Sequence, residues 1–265
     1  MIALAVALTI GVSATPSPRI FAVAVGVNQS YKPGRIRLSY ADDDAAKYAV
    51  VMSMFADARD VITLADFDTD TQALFPALSP QPPSLGSVER AFDEIASRVD
   101  DAKLAGAPTE VFVFFAGHGD VSRGQGFLEL SDQPLDSATL KSFLKKLRAD
   151  VVHVVLDSCN SFFAIAPRKP GGKRFATPDD VTAVLAQELP NVGVILSTSA
   201  ENEVYEWSEL QSGIFSYLVR SAASGAADAN QDGIVSYDEL AGFVAVSSRS
   251  IENPMFRPKV FVRGP

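Results

Sequence analysis

The chain has 265 residues, enough for one sizeable core or for one domain with an appendage. Its 47% hydrophobic and 21% charged residues describe a folded globular protein and exclude a disordered one. The net charge of −9 argues against general affinity for nucleic acid or anionic lipid, and the lone Cys159 excludes an internal disulfide.

Met1 to Gly11 is an apolar run too short for a membrane span, followed by Val12-Ser13-Ala14 and then Thr15-Pro16-Ser17-Pro18. Small residues after an apolar stretch predict a signal peptide over residues 1–14, cleaved after Ala14, although its front lacks a basic residue. A secreted or periplasmic location is expected, with cytoplasmic the alternative, and no integral span in the mature chain.

Arg19 to Asn28 is a nearly unbroken Val-rich apolar run, the pattern of a strand covered on both faces. A helix is predicted over Asp42–Phe55, a strand over Asp60–Ala65, a Pro- and Ser-rich loop to Leu85, and a helix from about Ser87 to Ala102. Glu110–Phe115 is a third buried strand, running into Ala116-Gly117-His118-Gly119-Asp120. A hairpin-like piece (Gly126–Leu130) and a helix (Asp136–Leu147) precede strand Val151–Leu156, which runs into Asp157-Ser158-Cys159-Asn160-Ser161. Then come a basic loop (Pro167–Pro178), a helix (Asp180–Glu188), a strand (Val192–Ser197), and helices Ile214–Ser224 and Asp238–Val246. Strands alternating with helices predict a mostly parallel sheet with helices on both faces.

Ligands gather beyond the carboxyl ends of parallel strands. Gly117-His118-Gly119 and Asp157-Ser158-Cys159 both stand at such ends, so adjacent strands would put the imidazole beside the thiol. A lone buried Cys is ordinarily a small hydrophobe; this placement makes Cys159 a candidate nucleophile. His118 would withdraw the thiol proton and later protonate a leaving amine. The Gly119 and Cys159 amides are candidate oxyanion donors. No third orienting residue is identifiable from spacing. His153, between two valines in a strand, reads as a sheet-face histidine, and Trp207 suits a groove or plain packing equally.

F-F-A-G-H-G-D at Phe114–Asp120 followed by V-V-L-D-S-C-N-S at Val154–Ser161 resembles the caspases, metacaspases and their bacterial relatives, over roughly residues 19 to 262. The resemblance implies a caspase-like three-layer α/β/α sandwich, with a large half (about 19–166), a linker (about 167–179) and a small half (about 180–265). It implies a cysteine endopeptidase acting on a protein or peptide substrate through a His118–Cys159 dyad. L-S-Y-A-D-D-D-A-A at Leu38–Ala46 is similar to the family's N-terminal helix motif. In the metacaspase-like branch, the matching acids, here Asp44 and Asp157, line a pocket for Arg or Lys; two carboxylates suit the planar fork of a guanidinium. Asp42 and Asp43 compete with Asp44 for that role. Self-cleavage in the basic stretch Arg168–Arg174 would fit the same specificity. Phe162-Phe163 stands where the family usually has a Gly soon after the Cys, which would narrow the site.

Asp228 to Glu239 matches a twelve-residue EF-hand loop, with calcium ligands expected from Asp228, Asn230, Asp232, the Ile234 carbonyl, Ser236 and Glu239, and with Gly233 at the sharp turn. A metal-free turn between helices is the alternative to calcium binding there. The alternative to a peptidase is therefore a catalytically inactive caspase-fold, calcium-binding interaction module. A flavodoxin-like nucleotide binder would also suit the strand pattern, but Val27-Asn28-Gln29-Ser30 offers no Gly-rich phosphate loop. Oligomeric state is not legible.

Overall fold

Alternation along the first strand assigns each layer of the molecule. In the computed structural model, which describes residues 17–122, 125–166, 177–197 and 205–265, β1 (Arg19–Gly26) points Phe21, Val23 and Val25 into one core and Ala22 and Ala24 into the other. The small residues let helix α1 (Ala41–Met52) lie close: a Cβ on Gly26 would stand 2.2 Å from the Ala41 carbonyl oxygen. Only glycine permits that approach.

The remaining elements are β2 (Val61–Ala65), α2 (Thr69–Leu74), α3 (Leu85–Leu104), β3 (Thr109–Ala116), β4 (Gly119–Ser122), β5 (Gln125–Glu129), β6 (Pro134–Asp136), α4 (Ser137–Leu147), β7 (Val151–Asp157), α5 (Ser161–Ile165), α6 (Pro178–Glu188), β8 (Val192–Ser197), β9 (Glu206–Trp207), β10 (Ser212–Gly213), α7 (Ile214–Ser221), α8 (Tyr237–Ser247) and β11 (Val260–Arg263). The main sheet runs β11-β8-β7-β3-β1-β2, parallel except for β11. Side chains of α3, α4 and α6 join one core; those of α1, α7 and α8 join the other. The fold is the expected three-layer α/β/α sandwich.

Several helix starts follow side-chain caps. Ser84 accepts from Ser87 N at 3.2 Å, so α3 begins two residues before Ser87, just after the Pro82-Pro83 pair. Thr177 with Asp180, and Ser236 with Glu239, form capping boxes for α6 and α8. The expected hairpin is a three-stranded antiparallel sheet, β4-β5-β6, which starts at Gly119. The signal-like residues 1–14, the basic stretch 168–174 and residues 199–203 lie outside the described residues. Among the described residues no helix is long and apolar enough to cross a membrane.

Candidate active site

The register of β3 on β7 brings the two motifs together. Glu110 pairs with Val151 and Ala116 with Asp157, a constant offset of 41 residues, which also separates 118 from 159. Beyond the last pair, Gly117 N donates to the Asp157 carbonyl at 3.1 Å. Gly119 packs against the other turn so closely that a Cβ would stand 2.3 Å from the Cys159 carbonyl oxygen. Asn160 takes the left-handed conformation (φ 58°), which asparagine tolerates better than most residues, and starts α5 at once. The Ser161 hydroxyl donates to the Ser158 carbonyl at 2.7 Å and lies 3.1 Å from the Ser158 hydroxyl, pinning the turn that carries Cys159. Both Cys159 and His118 are buried, at 1% and 5% exposure.

The imidazole has a fixed tautomer. Its Nε2 lies 2.7 Å from the Ile36 carbonyl oxygen, and a carbonyl only accepts, so Nε2 carries the hydrogen. Nδ1 is then the basic nitrogen, and it has no hydrogen-bond partner among the described residues. Burial pushes the His118 pKa down, with the Ile36 bond opposing and Arg35 assisting, so the ring is a neutral base at neutral pH.

The segment carrying Ile36 is tied down at several points. Buried Glu129 accepts from Ser30 Oγ at 2.5 Å and lies 3.3 Å from Arg35 Nε. Arg35 Nη2 donates to the Gly119 carbonyl at 3.2 Å, and Lys32 pairs with Asp120 at 2.5 Å. Glu206, from β9, accepts from the backbone N–H groups of Ser39 and Tyr40 at 2.7–2.9 Å.

Of the three consecutive acids at the start of α1, only Asp44 meets Asp157. A Cβ on Gly213 would stand 2.8 Å from Asp157 Oδ2 and 3.1 Å from Asp44 Oδ2, so the two carboxylates flank one glycine. Asp42 instead holds Asn28 and the Asp68 amide, and Asp43 holds Thr71. Asp44 accepts from Ser212 Oγ at 2.5 Å, Gly213 N at 2.8 Å and Arg220 Nη1 at 2.7 Å. Arg220 Nη2 also donates to Ser212 Oγ at 2.8 Å, and its guanidinium stands 5.1 Å from the Tyr48 ring centre. Burial pushes the Asp44 pKa up, while Arg220, Ser212 and Gly213 pull it back; since all three partners donate, the group is a carboxylate. Asp157 accepts Ser216 N and Oγ at 3.1 and 2.7 Å, both on Oδ2. Burial, aided by repulsion from Asp44, pushes its pKa up to about 7. Spacing could not reveal Arg220, Ser212, Ser216 or the Ile36 carbonyl, because all lie far in sequence from the residues they touch.

The remaining sequence candidates fall outside this cluster. Phe162 packs edge-on against Phe261 of β11, and buried Phe163 lies against Gly126 of β5, so the bulky pair fills core. His153 Nδ1 lies 2.7 Å from the Tyr237 hydroxyl and its ring stacks on Phe112, which is the sheet-face role expected. Trp207 is 39% exposed, with Nε1 donating to Glu209.

The loop 228–239 lies between α7 and α8. Asp228 accepts from the amides of Asp232 and Gly233, Asn230 also from Asp232, and Asp232 from Ile234. Gly233 has φ 81°. The donors are hard oxygens of the kind calcium takes. In this conformation Glu239 is engaged with Ser236, and no three His, Cys, Asp or Glu side chains among the described residues converge as a metal site.

No family model and no curated protein matches the chain. Among solved structures it is similar to caspase-1 from Spodoptera frugiperda, with 12% identity over 94% of this chain and 88% of that one and a TM-score of 0.54. It is also similar to pro-Sf-caspase-1, with 14% identity, the same coverage and a TM-score of 0.52. The chain therefore has the caspase fold.

Proposed function

We propose that the chain is a cysteine endopeptidase that cleaves after a basic residue. The observation that carries this reading is the register of β3 on β7, which ends at Ala116 and Asp157, so that His118 and Cys159 each follow two residues beyond the same pair at the carboxyl edge of the sheet. Cys159 gives its proton to His118 Nδ1, and the sulfur attacks the scissile carbonyl carbon. The resulting oxyanion is held by the Gly119 and Cys159 amides. As the C–N bond breaks, the imidazolium protonates the leaving amine; His118 then takes a proton from the water that hydrolyses the thioester. The Ile36 carbonyl keeps Nδ1 as the reacting nitrogen throughout. The acidic pocket beside Gly213 favours an Arg or Lys side chain before the scissile bond.

The test compares purified protein with Cys159→Ala and His118→Ala on fluorogenic peptides ending in Arg, Lys or Asp. Turnover of basic peptides is expected, with a loss of at least about 10³-fold in either variant. No turnover of any peptide, with no covalent labelling of Cys159, would leave the inactive interaction module as the surviving reading. The oxygen donors of Asp228, Asn230, Asp232, Ser236 and Glu239 and the Ile234 carbonyl support calcium binding at the loop, which we propose as a stabilising site.

A further inference from the structure

Two carboxylates line the proposed basic pocket, but they are not equivalent. Asp44 is 1% exposed and already accepts from three donors, one of them the guanidinium of Arg220. Arg220 is itself buried, shared between Asp44 and Ser212, and held near the face of Tyr48. Asp44 and Arg220 together carry no net charge, so they offer an incoming cation little attraction. Asp157 forms no direct ion pair with Arg220, whose charge reaches it only from beyond Asp44 and weakly opposes the rise in its pKa. Its Oδ2 is occupied by Ser216, while Oδ1 accepts no hydrogen bond among the described residues. It also stands two residues before the nucleophile.

We infer that Arg220 removes Asp44 from substrate recognition and leaves Asp157 alone to read the basic side chain, through its one open oxygen. This rests on the peptidase reading above and sharpens it. One oxygen can accept from two guanidinium nitrogens, as Asp60 Oδ2 does from Arg19, but it does not offer the two parallel bonds of a fork-on-fork pair, so the pocket gains little from Arg over Lys. Arg220 is thus a specificity-determining residue: it supplies from within the chain the cation that a two-acid pocket would take from the substrate.

Two measurements test this. On otherwise identical peptides, the wild-type kcat/KM for Arg and Lys should agree within about tenfold. A preference for Arg above about 10²-fold would overturn the inference, because it calls for the two parallel hydrogen bonds of a fork-on-fork pair, which one oxygen does not supply. This reading needs no variant, so it survives any folding defect. The second compares Asp157→Asn with the charge-neutral double change Asp44→Asn with Arg220→Met, each checked by thermal melting. The readout is the ratio of kcat/KM for an Arg peptide to that for a norleucine peptide. Asp157→Asn should collapse this ratio by about 10²-fold or more, whereas the double variant should keep it within about threefold. Equal collapse in both would show that Asp44 also reads substrate and overturn the inference alone. Absence of wild-type turnover on every peptide would instead overturn the peptidase reading and the inference with it.

Discussion

At the residue scale, the site divides into groups that sequence displays and groups that it hides. His118 and Cys159 stood out as candidates because each carries its chemistry in its side chain and follows an apolar strand. The Ile36 carbonyl did not: every residue has one, and the Ile36 side chain itself is 82% exposed. Arg220 was hidden for another reason, since its pairing with Asp44 spans 176 positions. The charges also predict a pH dependence. Asp157 must be ionised to hold a cation, and its pKa in the folded chain is about 7. As pH falls below that value, kcat/KM for an Arg peptide should drop by about tenfold per unit. The fall is governed by the free enzyme, so saturating substrate should weaken it. A norleucine peptide should lack this limb and keep only the one set by His118, whose pKa lies below its ordinary value. Parallel pH profiles for the two peptides would remove Asp157 from recognition.

At the element scale, the parallel strands were readable because burial on both faces leaves nearly continuous apolar runs, as in β3 and β7. Short elements were not. The four residues of β11 are all half-buried and show no alternation, and α2 and α5 hold only six and five residues, too few for a helical period to register. The segment between β1 and α1 has no regular structure, yet it carries the Ile36 oxygen. Its position depends on Glu129 in β5, fully buried between Ser30 and Arg35. Glu129→Gln keeps the shape but removes the charge that holds Arg35. It should lower kcat by about 10- to 10²-fold through misplacement of the imidazole, with little change in KM. A pH profile should show the His118 limb displaced as well, which a mere loss of stability would not produce. Unchanged kcat and an unchanged limb would reduce Glu129 to a structural anchor.

At the scale of the whole molecule, one layer carries Asp44, Arg220 and the candidate calcium loop. Helices α1, α7 and α8 share a core on one face of the sheet; α1 carries Asp44, α7 carries Arg220, and the loop 228–239 links α7 to α8. Val235, inside the loop, packs into that core, so the loop is attached to the layer by more than its ends. The candidate ligand oxygens stood out in the sequence because they recur at fixed spacing, but their engagement with backbone amides and with Ser236 did not. If calcium draws Glu239 from Ser236, it binds the folded chain in preference to the unfolded one and stabilises it by mass action. At free calcium about a hundred times the Kd this contributes roughly 2.7 kcal/mol. For a chain of this size that corresponds to a rise in Tm of roughly 5–10 °C. The shift should appear with calcium, be weaker with magnesium, and vanish in Asp228→Asn and Glu239→Gln. Those two variants should also melt at different temperatures without metal, since only Glu239 caps α8 through Ser236. An unchanged Tm at millimolar calcium, or an equal rise in both variants, would make the loop a capped turn whose oxygens serve its own backbone.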